Sequence, residues 1–241
     1  MNLDATKTVR ELATETPNAT RIFEQFGIDY CCGGSKPLQA ACEHANISVE
    51  EVLRCLEGAN QPGSPSEAEV DFQTVGLAEL IDHILTVHHG YVKTEVPRIR
   101  QLLFKVVGVH AAGHPELVGV QQTFKALAEE LLAHMMKEEV VLFPYIAKLE
   151  QARNYGRPAP RAAFGSISNP VRMMELEHES SGRALEELRK LTSAYTPPDN
   201  ACFSYKTLYS AMKDFEADLH QHLHLENNLL FPRAIALEGR G

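Results

Sequence analysis

The 241-residue chain has no run of Lys or Arg able to neutralise a line of phosphates, and its formal charge is −9 with histidine neutral. Nucleic acid is therefore not an expected partner. It has no apolar stretch of membrane-spanning length, so no membrane insertion is expected. The opening Met-Asn-Leu-Asp-Ala-Thr-Lys-Thr-Val-Arg lacks the apolar core of a signal peptide, which makes the cytoplasm the expected compartment. Cysteine is scarce: Cys31, Cys32, Cys42, Cys55 and Cys202 are an odd number spread over the chain, which excludes a disulfide framework and predicts mostly reduced thiols.

What is present is loop composition at 58–70, rich in Gly, Pro and Ser, with regions of different character on either side. We read a small helical module over 1–57, a linker over 58–72 and a larger domain over 73–241. In the module, Pro17 lies near a helix start, Gly27 is placed to stop that helix, and Ser48 with Glu51 forms a capping-box pattern. Beyond the linker, helices are predicted at about 75–108, 116–150, 170–194 and 203–237, separated by Gly- and Pro-containing breakers. Apolar residues recur at three and four spacings, as in Leu77, Leu80, Ile81 and Ile84, and in Leu127, Leu131 and Met135. The expected fold is all-α, an antiparallel four-helix bundle preceded by the small helical domain.

One pattern occurs twice. His134, Glu138, Phe143 and Pro144 return 88 residues later as His222, Glu226, Phe231 and Pro232. Positions i and i+4 share a helix face, so each imidazole and its carboxylate point the same way. With 11 His and 25 Glu, roughly one such pair is expected by chance, and a single pair reads as a solvated helix face. Two pairs with the same Phe-Pro ending read as two metal half-sites.

Residues equidistant from the turn of a helical hairpin lie at the same height. His89 and His134 centre on the Ala111-Ala-Gly113 turn, and His178 and His222 centre on the turn ending at Asn200. Four imidazoles, from His89, His134, His178 and His222, thus converge mid-bundle with Glu138 and Glu226. His110 lies about 31 Å along an unbroken helix from His89 and belongs at the bundle end, unless a bend at Pro97 brings it closer. His83, His88, His220 and His224 read as surface or satisfied core histidines. Glu130 and Glu177 are candidates to support the ligands from behind, with a solvated surface role as the alternative.

Six nitrogen and oxygen ligands with no thiolate differ from a closed structural zinc site. They suit two iron ions bridged by oxo or hydroxo, with coordination positions open to nitric oxide or oxygen. Ferritin-like sites need Glu-x-x-His on two helices, and here only Glu175-Leu-Glu-His178 matches. The separate Cys31-Cys32-Gly33-Gly34 element suits redox or transfer chemistry, because adjacent cysteines cannot close an unstrained disulfide. The bland alternative is two small residues in a tight turn before the helix at Pro37. Cys42, Cys55 and Cys202 read as small core residues.

In combination, Asp29-Tyr-Cys-Cys-Gly-Gly34, Ile81-Asp-His83, His134-Met-Met-Lys-Glu138, Glu175-Leu-Glu-His178 and Leu225-Glu-Asn-Asn with Leu230-Phe-Pro232 resemble the di-iron "repair of iron centres" family. The resemblance spans nearly the whole chain and implies a hemerythrin-like bundle in bacterial cytoplasm that restores iron-sulfur clusters damaged by nitric oxide or oxidants. It implies metal ligation by His89, His134, Glu138, His178, His222 and Glu226, and places the family's cysteine motif on Cys31 and Cys32. Gly90 and Val92 depart from the more polar residues the family would have there, without removing a ligand.

The leading expectation is a repair protein that donates iron to damaged iron-sulfur proteins. The alternatives are nitric oxide reduction at the same centre, with Glu130 and Glu177 as proton carriers, and a hemerythrin-like oxygen or nitric oxide sensor signalling through residues 1–57. Donation and turnover need the same six ligands, so sequence does not separate them. It also leaves open the client proteins, the oligomeric state (a homodimer included) and whether Cys31 and Cys32 reach the metals.

Overall fold

The computed structural model describes residues 4–16, 18–31, 33–59 and 72–239. Pro17, Cys32 and most of the expected linker lie outside the described residues. The described chain folds into helices in two compact units, Met1–Gly76 with His220–Arg233, and Leu77–Leu219 with Ala234–Gly241.

In the first unit, helices α1 (Val9–Glu15), α2 (Ala19–Phe26), α3 (Leu38–Ala45) and α4 (Val49–Ala59) enclose a core that includes Leu12, Phe23, Tyr30, Leu38 and Leu56. Thr8 starts α1 with a reciprocal capping box to Glu11, which satisfies two otherwise orphaned N–H groups. Gly27 ends α2 in the left-handed conformation at φ 65°, where a side chain would be strained. Ser48 Oγ accepts the Glu51 N–H at 3.3 Å at the start of α4.

The loop between α2 and α3 is organised by Asp29. Its carboxylate accepts the N–H groups of Cys31 (3.0 Å) and Gly33 (2.8 Å) and lies 3.2 Å from Cys31 Sγ. A Cβ on Gly34 would stand 2.6 Å from the Tyr30 carbonyl oxygen, so close packing demands glycine there. The Gly34 and Lys36 carbonyls in turn accept the Arg10 and Val9 N–H groups at 2.8 and 3.0 Å.

In the second unit, α5 (Leu77–His83) runs through a π-helical turn (Ile84–His89) into α6 (Gly90–His110). Helix α7 (Glu116–Lys137) likewise runs through Glu138–Leu142 into α8 (Phe143–Asn154), followed by α9 (Ser168–Leu191). The last limb is α10 (Phe203–His224), a π turn at Leu225–Leu230, and α11 (Phe231–Glu238). Helix α7 packs antiparallel to both α6 and α9. Buried Leu117, Val120, Phe124, Leu127 and Leu131 show the helical spacing that drives this packing. Helix α6 stays helical through Pro97 to His110.

Two glutamates close helix ends. Glu150 accepts the N–H groups of Leu77 (2.6 Å) and Ala78 (2.9 Å) at the start of α5. Glu238 accepts the Ile167 N–H at 3.1 Å, the Ser166 hydroxyl and the Tyr145 hydroxyl, both at 2.7 Å, ahead of α9. These residues are themselves 88 positions apart, so the internal repeat extends beyond its Phe-Pro ending to the caps.

Candidate metal centre

Each of the three π turns carries candidate ligands: His89 ends the first, Glu138 begins the second, and Glu226 lies in the third. In each, the residue after the turn donates its N–H five residues back: Gly90 to Leu85, Phe143 to Glu138, and Phe231 to Glu226. Proline accounts for two of them. Pro144 and Pro232 have no N–H, and in an α-helix their rings would clash with the carbonyl four residues earlier. Widening the turn relieves that clash, which gives the repeated Phe-Pro a structural meaning. Phe143 also stacks on the His89 ring, with centroids 5.7 Å apart. Gly90, the departure seen in sequence, sits where the first π turn returns to α-helix.

Two overlapping groups of side chains offer ligand atoms within 4.8 Å of one another: His89, Glu138, His222 and Glu226, and His134, Glu138, His178 and Glu226. All six are buried. Both carboxylates belong to both groups, and each group has two imidazoles of its own. The imidazoles are His89 and His222 in one group and His134 and His178 in the other.

The donor set fits bound cations. Both oxygens of Glu138 are buried and accept no hydrogen bond, while His134 Nε2 lies 3.2 Å and His89 Nε2 3.5 Å away. A carboxylate sealed from water without acceptor partners costs several kcal/mol, on the order of the effective penalty for a buried ion, unless positive charge offsets it. His134 Nε2 and His178 Nε2 face each other at 2.8 Å. In the neutral tautomer fixed by a donating Nδ1, His134 presents a lone pair at that point, which is the metal-binding form of imidazole.

The Nδ1 atoms of His89 and His134 are held from outside the ligand groups. His89 Nδ1 lies 2.8 Å from Glu139 Oε1 and His134 Nδ1 lies 2.7 Å from Glu177 Oε2. Each carboxylate also receives a lysine: Lys93 reaches Glu139 at 2.7 Å, and Lys137 pairs with Glu177. Burial pushes both carboxyls up, but the lysine and histidine donors outweigh it and hold both below the usual carboxylate range. Such acceptors set the tautomer and orientation of a ligating ring.

Glu177 touches His134. Glu130 does not occupy a corresponding place: it is exposed and accepts the Ser180 hydroxyl at 3.3 Å. The residue behind His89 is Glu139, which sequence reasoning missed, although its position beside Glu138 in the motif was a signal. His88 is a buried, satisfied histidine with Nδ1 2.9 Å from Asp218. His224 is buried with Nδ1 2.7 Å from Asn228, and burial pushes it down to about 4. His110 lies outside both ligand groups, 3.2 Å from Cys202 Sγ.

The second copy of the motif carries further contacts within the first unit. Asn228 Nδ2 donates to the Tyr30 carbonyl at 3.0 Å and Asn227 Nδ2 to that of Cys31 at 3.4 Å. Tyr30 lies edge-on to His224 at 5.4 Å and to His220 at 6.2 Å. Cys31 is buried, 1% exposed. Cys42 is a buried core residue as expected, whereas Cys55 and Cys202 are exposed. The core reading of those two is corrected: Cys202 stands exposed just ahead of α10, and Cys55 occupies an exposed position of α4.

Residues 80–234 match the Hemerythrin HHE cation binding domain, and residues 5–60 match a Domain of Unknown function (DUF542). All six candidate ligands fall within the first match. A "Probable iron-sulfur cluster repair protein" of Haemophilus influenzae is 37% identical over 231 residues, 96% of this chain and 97% of that protein. The "Iron-sulfur cluster repair protein YtfE" of Salmonella schwarzengrund is 35% identical over 229 residues, 95% of this chain and 96% of that one. The Salmonella newport protein of that name has the same identity and coverage. Among the described residues, no helix is long and apolar enough to cross a membrane. With a cation-binding bundle over most of its length and full-length relatives of this kind, the chain belongs to the hemerythrin-like family of iron-sulfur cluster repair proteins.

Proposed function

We propose that His89, His134, His178 and His222, with Glu138 and Glu226 shared, hold two iron ions, and that this cytoplasmic protein passes iron to iron-sulfur proteins damaged by nitrosative or oxidative stress. The single observation that carries this reading is the pair of four-residue groups sharing two buried carboxylates. Sharing brings two cations close together with only six side chains, which leaves coordination positions for small ligands such as nitric oxide or oxygen. Iron in such a site supplies redox capacity and the ions to be transferred. The protein's own part is to present neutral imidazoles: Glu139 and Glu177 accept the Nδ1 protons of His89 and His134 and so aim Nε2 inward. The absence of thiolate favours release over permanent retention, since soft ligands hold iron in clusters. We assign residues 1–57 and 73–241 as the two functional domains. In this reading Cys31 and Cys32, from a loop whose Tyr30 and Cys31 carbonyls are bonded by Asn228 and Asn227, serve as transfer or redox thiols.

The test mixes the iron-loaded protein with an apo iron-sulfur protein, sulfide and a thiol reductant. Cluster absorbance should return faster than with equal free iron, and E138Q should abolish the advantage. A rate no better than that of free iron overturns iron donation.

A further inference from the structure

In the second unit, outside both groups of candidate metal ligands, a thiol and an imidazole form a pair that the proposed function does not use. Cys202 Sγ lies 3.2 Å from His110 Nε2, and Cys202 is exposed. The imidazole is held in place by Tyr205, a buried ring 5.4 Å away that also meets His114 at 5.7 Å. Cys202 is moreover the residue whose carbonyl accepts the first bond of α10, from the Lys206 N–H at 3.1 Å. It therefore stands at the start of a 22-residue helix.

We infer that Cys202 and His110 form a second reactive site, a thiol activated by an imidazole that exchanges with small disulfides. The thiolate is the attacking species in such exchange. His110 Nε2 takes the thiol proton as Cys202 Sγ attacks one sulfur of the disulfide. The new S–S bond forms as the old one breaks, and the departing thiolate recovers the proton from the imidazolium. The products are a mixed disulfide on Cys202 and one free thiol, so the disulfide is itself the oxidant. Phe203, 85% exposed beside the thiol, leaves the approach open.

Cys55 is the internal reference, because it is also exposed but lies within α4. The full-length protein is treated with oxidised glutathione near neutral pH, and modification of each cysteine is followed by peptide mass spectrometry. Cys202 should react at least about fivefold faster than Cys55, the gain expected when a neighbouring imidazole takes the thiol proton as sulfur attacks. In H110Q the rate at Cys202 should fall to that of Cys55 while the rate at Cys55 is unchanged, which also reports that the fold is kept. H114N should leave both rates as they were. Equal rates at Cys202 and Cys55 in the native chain, or a fast Cys202 in H110Q, would overturn the inference.

Discussion

Replacing Glu177 by Gln removes one charged acceptor from behind His134 and leaves the His89 side intact. The contact is short, 2.7 Å, but the Glu177 side chain is 34% exposed. A hydrogen bond involving a charged group contributes about 1.5–3 kcal/mol when sheltered, and partial solvation reduces that here to about 1–2 kcal/mol. At 1.4 kcal/mol per factor of ten, the cost is roughly five- to thirtyfold in iron affinity. Because His134 belongs to only one of the two ligand groups, the loss should fall on one ion of the pair. Glu139→Gln should weaken the other ion, which in the proposed arrangement would be held by the group containing His89 and His222. The assay is competition with a graded series of iron chelators, read as iron retained per chain. Each variant should show two steps, one at the native chelator strength and one displaced to weaker chelators. Uniform displacement of both ions, or native retention in both variants, would refute the view that these carboxylates each govern one site.

Three further outcomes follow from the packing. Glu150→Ala removes the acceptor of two N–H groups at the start of α5 and should cost about 1–2 kcal/mol, seen as a melting temperature lower by roughly 2–8 °C; an unchanged melt would show that water replaces the cap. Glu238 has its carboxyl pushed up by burial but held net below its ordinary value by Ser166, Tyr145 and the Ile167 N–H. Its contribution is therefore complete above the unfolded value of about 4.5 and is lost as pH falls through the lower folded value. Denaturant titrations should show a shallower acid decline in Glu238→Gln, and parallel pH profiles would count against the assignment. Gly34→Ala drives a Cβ to 2.6 Å from the Tyr30 carbonyl and should destabilise the loop by about 1–3 kcal/mol. Faster hydrogen exchange at the Val9 and Arg10 amides would report it, and unchanged exchange there would contradict the close packing.

The bundle was legible because its apolar spacing and its breakers agree, and the observed helices begin and end within a few residues of those expected. Sequence distance from the two hairpin turns singles out the four histidines, since height in a hairpin depends on distance from the turn. The partners behind the rings were not legible. Reading i and i+4 assumes α-helix throughout, and three wide turns rotate the following residues, which places Glu139 behind His89. Glu130, one α-turn before His134, looked equivalent to Glu177 but faces water. The capping role of Glu150 and Glu238 was available in the 88-residue offset and went unread, because a glutamate near a helix end carries no sign of which neighbour it caps. Cys202 departs from the core expectation because it lies between a Pro-rich turn and a helix start, where the chain is exposed.

A π turn is an α-helix that carries one surplus residue. One residue turns a helix by about 100°, so each of the three limbs changes phase as it passes the centre. In the first copy of the motif the extra residue is accommodated at the surface, where Val140 and Val141 are 69% and 49% exposed. The corresponding Asn228 and Leu229 of the second copy are 8% and 7% exposed. Removing one residue from either turn would therefore leave His134 or His222 in register and rotate everything beyond it, including the Phe-Pro corner and the capping glutamate twelve residues after the shared one. An alignment of this chain with a bundle lacking the wide turns needs a one-residue gap in each of the three. Without those gaps, ligands and caps cannot be matched on the same limb.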